Sequence, residues 1–132
     1  MAASADDPVV HDDLGSQSTD TREITDRRDI AVYDGPIGLR LLHEDSGGGE
    51  EHYLVRYPAG LSGRWHRHTA AHTILVLDGR LSVNGRVIGP GAYCHFPAGV
   101  PMRHEPAGDG QCVFLNLFHG PSDVEVIDAP RV

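Results

Sequence analysis

The 132 residues are 39% hydrophobic and 23% charged, values typical of one globular domain that buries roughly two thirds of its unfolded surface. The apolar runs fall well short of the roughly 18 residues that a membrane-spanning helix needs, and a formal charge of -8 disfavours nucleic acid and anionic lipid as partners. All eleven basic residues are arginine, which excludes a lysine Schiff base and a P-loop. Because the N-terminus lacks the basic start and apolar core of a signal peptide, we expect a cytoplasmic protein.

The N-terminal part of the chain carries most of the acidity. Residues 1–30 hold eight acidic residues and three arginines, and few of their side chains are large and apolar. Such a composition favours disorder over packing. We predict an acidic, disordered tail at residues 1–25 and a single domain at residues 26–132.

Beyond the tail, short runs of Val, Ile, Leu, Tyr and Phe alternate with Gly, Pro, Asn and Asp. This pattern is typical of an all-β sandwich or barrel, and no stretch has a helical apolar stripe. Asn84-Gly85 predicts a type I′ hairpin turn, which requires positive φ at both positions. The predicted strands are residues 30–33, 38–43, 52–57, 63–68, 72–78, 80–83, 86–88, 92–96, 102–105 and 112–118.

Three histidines lie close together in the middle of the chain. His66 and His68 would share one face of a strand, because side chains alternate with a period of two, and His72 opens the next strand. Converging buried imidazoles favour a shared metal ion. The alternative is that they are surface histidines or histidines with separate hydrogen bonds.

The spacing of these residues resembles the cupin family. The first cupin motif, G-x5-H-x-H-x3-4-E-x6-G, is matched from Gly60 through His66 and His68 to Gly79, with His72 where the family usually has glutamate. The second motif, G-x5-P-x-G-x2-H-x3-N, is matched at three positions, which are Gly91, Pro97 and Gly99. This resemblance implies a jelly-roll barrel, a double-stranded β-helix, with a metal bound inside.

The second motif then departs from the family pattern. Met102 stands at the usual histidine position, and His104 follows two residues later. A shift of two residues keeps the same face of a strand, so we expect His104 as the fourth ligand beside His66, His68 and His72. The alternatives are that Met102 takes that place or that His104 lies on the surface.

An all-histidine ligand set has a chemical consequence. Neutral imidazoles leave the full charge on a divalent ion, which favours an anionic chelating substrate such as an enolate, an α-keto acid or a diketone. Imidazole ligands suit transition metals, so we expect one divalent ion per chain, with iron first and zinc, nickel, manganese or copper as alternatives.

Other polar residues are weaker candidates. Tyr57, His95 and Glu105 are unranked candidates for a general base, and Arg56 could bind a substrate carboxylate. For each of them, a structural or surface role is the alternative.

The resemblance implies a small-molecule dioxygenase that acts on an enolisable carbonyl substrate. The alternatives are a non-redox isomerase, lyase or cyclase with zinc, nickel or manganese, and a non-catalytic module that senses a metal or ligand. Exposed sheet edges and the apolar run at residues 112–118 predict a homodimer.

Overall fold

The computed structural model describes residues 7–14, 21–22, 32–45 and 47–130, in which every regular element is a β-strand. The predicted all-β class is therefore confirmed. The strands are β1 Thr21–Arg22, β2 Ile37–Asp45, β3 Glu50–Tyr57, β4 His66–His68, β5 His72–Asp78, β6 Leu81–Val83, β7 Arg86–Ile88, β8 Tyr93–Phe96, β9 His104–Pro106, β10 Cys112–His119 and β11 Val124–Val126.

The strands form one large sheet and two small ones. The large sheet has the order β1-β2-β3-β10-β5-β8, the three-stranded sheet has the order β7-β6-β9, and β4 pairs with β11. All of these pairs are antiparallel. In the large sheet β10 lies between β3 and β5, so this late strand joins the consecutive strands β1 to β3 to the strands β5 and β8.

The core lies on one face of the large sheet. The core cluster is built from alternate residues of its central strands, among them Val55 and Tyr57 on β3, Ile74 on β5 and Phe114 on β10. Their period of two is that of strands with one face turned to the core. The apolar runs of the sequence are therefore strands that each supply a row of core side chains.

Two turns depend on glycine-like backbone conformations. Asn84 and Gly85 have φ of 50° and 88°, so the predicted hairpin turn between β6 and β7 is confirmed. Gly79 has φ of 74°, and a Cβ at this position would lie 2.0 Å from the carbonyl oxygen of Gln111. The glycine that ends the first motif is thus required by the close approach of two chain segments.

The structure adds two strands that the sequence pattern did not predict. β1 pairs with β2, and β11 pairs with β4. Of the predicted strand 30–33, residues 30 and 31 lie outside the described residues, and Tyr33 forms a single bridge with Gly63. The strand predicted at 63–68 begins at His66, after this bridge.

The predicted tail is described only in part. Residues 1–6, 15–20 and 23–25 lie outside the described residues, so the division of the chain at residue 25 stays a prediction. In the described segment 7–14, the imidazole of His11 donates a hydrogen bond of 2.7 Å to the carbonyl of Leu42 on β2. Nowhere in the described part of the chain is there a helix long and apolar enough to cross a membrane.

Candidate metal centre

Four histidines meet inside the barrel because three short segments bring them together. His66 and His68 lie on the same face of β4, which pairs with β11. His72 opens β5 and His104 opens β9. His66 also forms a bridge with Met102, two residues before His104, so the first-motif and second-motif segments are held side by side.

Three of these histidines form a compact group. Each of His66, His68 and His104 offers a ligand atom, and these atoms lie within 4.8 Å of one another. The His66 ring is 5.1 Å from that of His68 and 5.0 Å from that of His104, nearly perpendicular to both. Edge-on imidazoles at this spacing can direct ring nitrogens towards one point, so the group could hold a metal ion.

His72 lies beside this group without belonging to it. Its ring centroid is 4.7 Å from that of His68 and 6.5 Å from that of His104. It stacks on Phe96 at 4.7 Å and contacts Phe118 at 5.1 Å. The role of His72 as a fourth ligand stays a prediction.

The burial of the histidines keeps them neutral at physiological pH. Burial, followed by the charges of neighbouring imidazoles, lowers the pKa of His68 and of His72 to about 3. Burial also lowers the pKa of His66, and it places that of His104 well below its ordinary value. A neutral imidazole keeps a lone pair, which is what a metal requires of its ligand.

Hydrogen bonds at Nδ1 leave the opposite ring nitrogen free in two of the ligand candidates. His66 Nδ1 donates to the carbonyl of Arg64 at 2.7 Å, and His104 Nδ1 lies 2.8 Å from the hydroxyl of Tyr57. His104 Nε2 is buried and has no hydrogen-bond partner among the described residues. An unpartnered buried nitrogen is costly unless it meets a ligand, so the donor set fits a transition metal bound through Nε2.

The least enclosed member of the group, His68, lies next to an acidic cleft. Its Nδ1 is 3.3 Å from the hydroxyl of Ser122, which lines a cleft of about 280 Å³. The acidic cleft is defined here by its four carboxylates, which are Glu44, Asp45, Glu51 and Asp123.

Of the weaker candidates, the structure brings only Tyr57 to the histidines. Its ring stacks on His104 at 5.9 Å and its hydroxyl contacts His104 Nδ1. Arg56 precedes Tyr57 on β3 and therefore faces away from the core, and His95 lies exposed on the outer face, 2.9 Å from Thr73 Oγ1. Glu105 accepts a hydrogen bond of 2.9 Å from the amide of Gly63.

Sequence reasoning missed two residues at the site. Tyr33 is hydrogen-bonded to the hydroxyl of Tyr57, and Ser122 contacts His68. Neither belongs to a motif or to a regular strand, since Tyr33 is in a single bridge and Ser122 is in the segment between β10 and β11. A periodicity in sequence could not have indicated either contact.

The fold and the site define a small antiparallel β-barrel with a histidine cluster that could hold a metal. A family model described as a cupin domain matches residues 53–118, so the chain belongs to the cupin family. This confirms the resemblance of its two motifs. Among curated proteins, no match was found.

Solved structures with the same fold include proteins of different activities. The chain is similar to an acetylacetone dioxygenase from Acinetobacter johnsonii, with 19% identity, a TM-score of 0.66, and coverage of 97% of this chain and 85% of that one. It is also similar to a cupin-like protein from Thermotoga maritima, with 21% identity, a TM-score of 0.63, and coverage of 74% and 80%. A third is the polyketide cyclase RemF from Streptomyces resistomycificus, with 22% identity, a TM-score of 0.59, and coverage of 72% and 73%. At these identities, the likeness shows the fold alone.

Proposed function

We propose that the chain is a metal-dependent cupin dioxygenase that acts on a small enolisable carbonyl compound such as a 1,3-diketone. The observation that carries this proposal is the group formed by His66, His68 and His104, which contains no carboxylate. A divalent transition metal bound there supplies Lewis acidity and, in the case of iron, redox chemistry. The likeness in fold to an acetylacetone dioxygenase supports the choice of substrate class.

The histidines have distinct roles in this proposal. His66, His68 and His104 hold the ion, and His72 serves as the fourth ligand from its position beside His68. Because all four are neutral, they leave the full charge of the ion to act on a chelating substrate. Phe96 and Phe118 pack against His72 and limit the access of water to that side of the site.

The acidic cleft refines the proposed charge of the substrate. We propose that substrate reaches His68 past Ser122, through the cleft lined by Glu44, Asp45, Glu51 and Asp123. Carboxylates there repel a permanent anion such as a keto acid. A neutral diketone, which becomes anionic only on losing a proton in the site, meets no such repulsion. The substrate class is therefore neutral in solution and anionic when bound.

No side chain is assigned as the general base. Burial raises the pKa of Tyr57 well above its ordinary value, so its phenol stays protonated and contacts His104. His95 and Glu105 have their hydrogen bonds with Thr73 and Gly63, away from the histidine group. In this proposal the chain binds and orients the substrate and keeps the ligands neutral.

Metal content and oxygen uptake test this proposal together. We would purify untagged protein as wild type, as the His66→Ala, His68→Ala double variant, and as a His52→Ala control, since His52 has its hydrogen bond with Glu50 instead. Elemental mass spectrometry should find about one iron per chain in wild type and control and none in the double variant. Oxygen uptake with a 1,3-diketone should follow the iron. A wild type that takes up no metal would overturn the proposal.

The second candidate is a non-redox isomerase, lyase or cyclase that uses zinc, nickel or manganese. Imidazole ligands suit zinc and nickel, and the fold is similar to that of a polyketide cyclase. Stoichiometric zinc or nickel without oxygen uptake would favour this candidate over the dioxygenase. Metal binding without turnover of any carbonyl compound would instead favour a sensing module.

A homodimer is also part of the proposal. Leu77 and Tyr93 lie on the outer face of the large sheet and are 36% and 69% exposed, which supports a contact between two copies. Light scattering of the purified protein should give a mass twice that of the 14.3 kDa chain, and a monomer would contradict this part.

A further inference from the structure

A chain of two tyrosines and one histidine lies behind the histidine group. The hydroxyls of Tyr33 and Tyr57 are hydrogen-bonded to each other, and that of Tyr57 is 2.8 Å from His104 Nδ1. Tyr57 is only 2% exposed and His104 is 2% exposed, so solvent cannot replace either partner. The three rings also pack together, with Tyr33 and Tyr57 at 5.1 Å and Tyr57 and His104 at 5.9 Å.

The protons of these three hydrogen-bonded side chains can be arranged in two ways, called here the first and the second order. A neutral imidazole has one N–H, and each phenol has one O–H. In the first order, Tyr33 donates to Tyr57, Tyr57 donates to His104 Nδ1, and the imidazole proton is on Nε2. In the second order, His104 Nδ1 donates to Tyr57 and Tyr57 donates to Tyr33. Both orders hold the same number of protons.

Only the second order makes His104 a metal ligand through Nε2. That nitrogen is buried without a hydrogen-bond partner among the described residues, and it must have a free lone pair to bind an ion. The imidazole proton must then be on Nδ1, where an acceptor is needed. The Tyr57 oxygen at 2.8 Å is the nearer acceptor, and the Tyr33 hydroxyl lies farther away at 3.4 Å. The Tyr57 oxygen can accept this proton while the Tyr57 proton is directed to Tyr33.

We propose that Tyr57 and Tyr33 are positioning residues that select the metal-binding tautomer of His104. This inference rests on the proposed function in one respect, namely that a metal binds at His104. Tyr57 accepts the Nδ1 proton, and Tyr33 accepts the proton of Tyr57. Tyr33 therefore acts on the metal only through His104, by way of Tyr57 and through its own hydroxyl, which lies 3.4 Å from His104 Nδ1. It touches neither metal nor substrate.

The backbone around Tyr33 supports this role because it links two ligands. The segment at residues 32–34 pairs with the segment at 62–64, through the bridge of Tyr33 with Gly63 and the hydrogen bond of 2.8 Å from the Arg64 amide to the Val32 carbonyl. The Arg64 carbonyl in turn accepts the Nδ1 proton of His66 at 2.7 Å. One pair of segments thus fixes the tautomer of His66 directly and that of His104 through Tyr33.

The test compares zinc affinity and the His104 proton in three phenylalanine variants. Tyr57→Phe and Tyr33→Phe each remove one hydroxyl and keep the ring, whereas Tyr93→Phe is the control because Tyr93 is exposed on the outer face. Zinc dissociation constants would be measured by competition with a chromophoric chelator. We expect Tyr57→Phe to weaken binding by roughly 10- to 100-fold, Tyr33→Phe by less than about tenfold, and Tyr93→Phe not at all.

A second readout separates tautomer selection from packing. Nitrogen-15 NMR of the zinc-loaded protein should show a slowly exchanging Nδ1 proton on His104 in wild type and lose it in Tyr57→Phe. Circular dichroism of the metal-free proteins should show the same β-sheet fold in both. Unchanged zinc affinity in Tyr57→Phe would overturn this inference and leave the proposed function standing. Failure of the wild type to bind zinc, iron or nickel would overturn both.

Discussion

Acid should destabilise the metal-free protein well before its carboxylates begin to titrate. His68 and His72 have a pKa of about 3 in the folded protein, against an ordinary value of 6.5. Below pH 6.5 the unfolded chain binds protons that the folded chain does not, so stability falls as the pH falls from 6.5 towards 3. Above pH 6.5 neither state is protonated and the effect vanishes.

The size of this effect follows from the two pKa values. Between pH 7 and pH 5, one such histidine lowers the unfolding free energy by about 2 kcal/mol, and the two together lower it by about 4 kcal/mol. Burial lowers the pKa of His66 and of His104 too, and these histidines add to the loss. A domain of this size has a stability of about 5–15 kcal/mol, so the loss is a large part of the total.

Urea denaturation of metal-free protein at pH 7, 6 and 5 measures this loss directly. A His68→Gln variant should lose about 2 kcal/mol less over the same range, because one of the two shifted groups is gone. Met102→Leu is the matched control, since this buried side chain does not titrate and its replacement should lower stability equally at every pH. An unfolding free energy that changes by less than about 1 kcal/mol in wild type between pH 7 and pH 5 would refute the reasoning.

Three further outcomes are expected. Because His72 lies outside the group of three, His72→Ala should weaken zinc binding less than His66→Ala does in a chelator competition assay, and an equal loss would contradict this. Gly79→Ala should lower the unfolding free energy by about 3 kcal/mol, since its Cβ would meet the Gln111 carbonyl, and urea denaturation checks this. Glu51→Gln with Asp123→Asn neutralises half of the acidic cleft. In stopped-flow measurements at low salt, this double variant should bind an anionic keto acid roughly tenfold faster. Its association rate with a neutral diketone should be unchanged.

The parts of the fold that sequence could predict are those with a local cause. Asn84-Gly85 determines its hairpin because few other residues adopt positive φ at two successive positions. The strand at residues 72–78 has the predicted limits, because its continuous apolar run at residues 74–77 is followed by Asp78 and Gly79. His66 and His68 share a face for the same reason of period two.

The parts that sequence could not predict depend on contacts between distant segments. β11 exists because β4 offers it an edge, and its own three residues carry too short a pattern to be recognised. The Tyr33 hydroxyl lies 3.4 Å from His104 Nδ1 across 71 positions of sequence, and a single bridge with Gly63 holds Tyr33 there. Arg56 is a candidate because of its charge. On β3 it is the neighbour of the inward-facing Tyr57, so it lies on the outer face. Which face of β3 is the inner one is known only from the pairing of β3 with β10.

The distribution of charge explains why a histidine-only site suits this barrel. A glutamate at position 72 would place a carboxylate against Phe96 and Phe118, where burial opposes its ionisation, whereas a neutral imidazole stacks on these rings. The carboxylates lie instead in the acidic cleft, separated from His68 by Ser122. An ion bound by the histidines would therefore keep its full charge inside the barrel while the cleft remains negative. Under the proposed function, this arrangement would favour a molecule that approaches neutral and loses its proton only beside the ion.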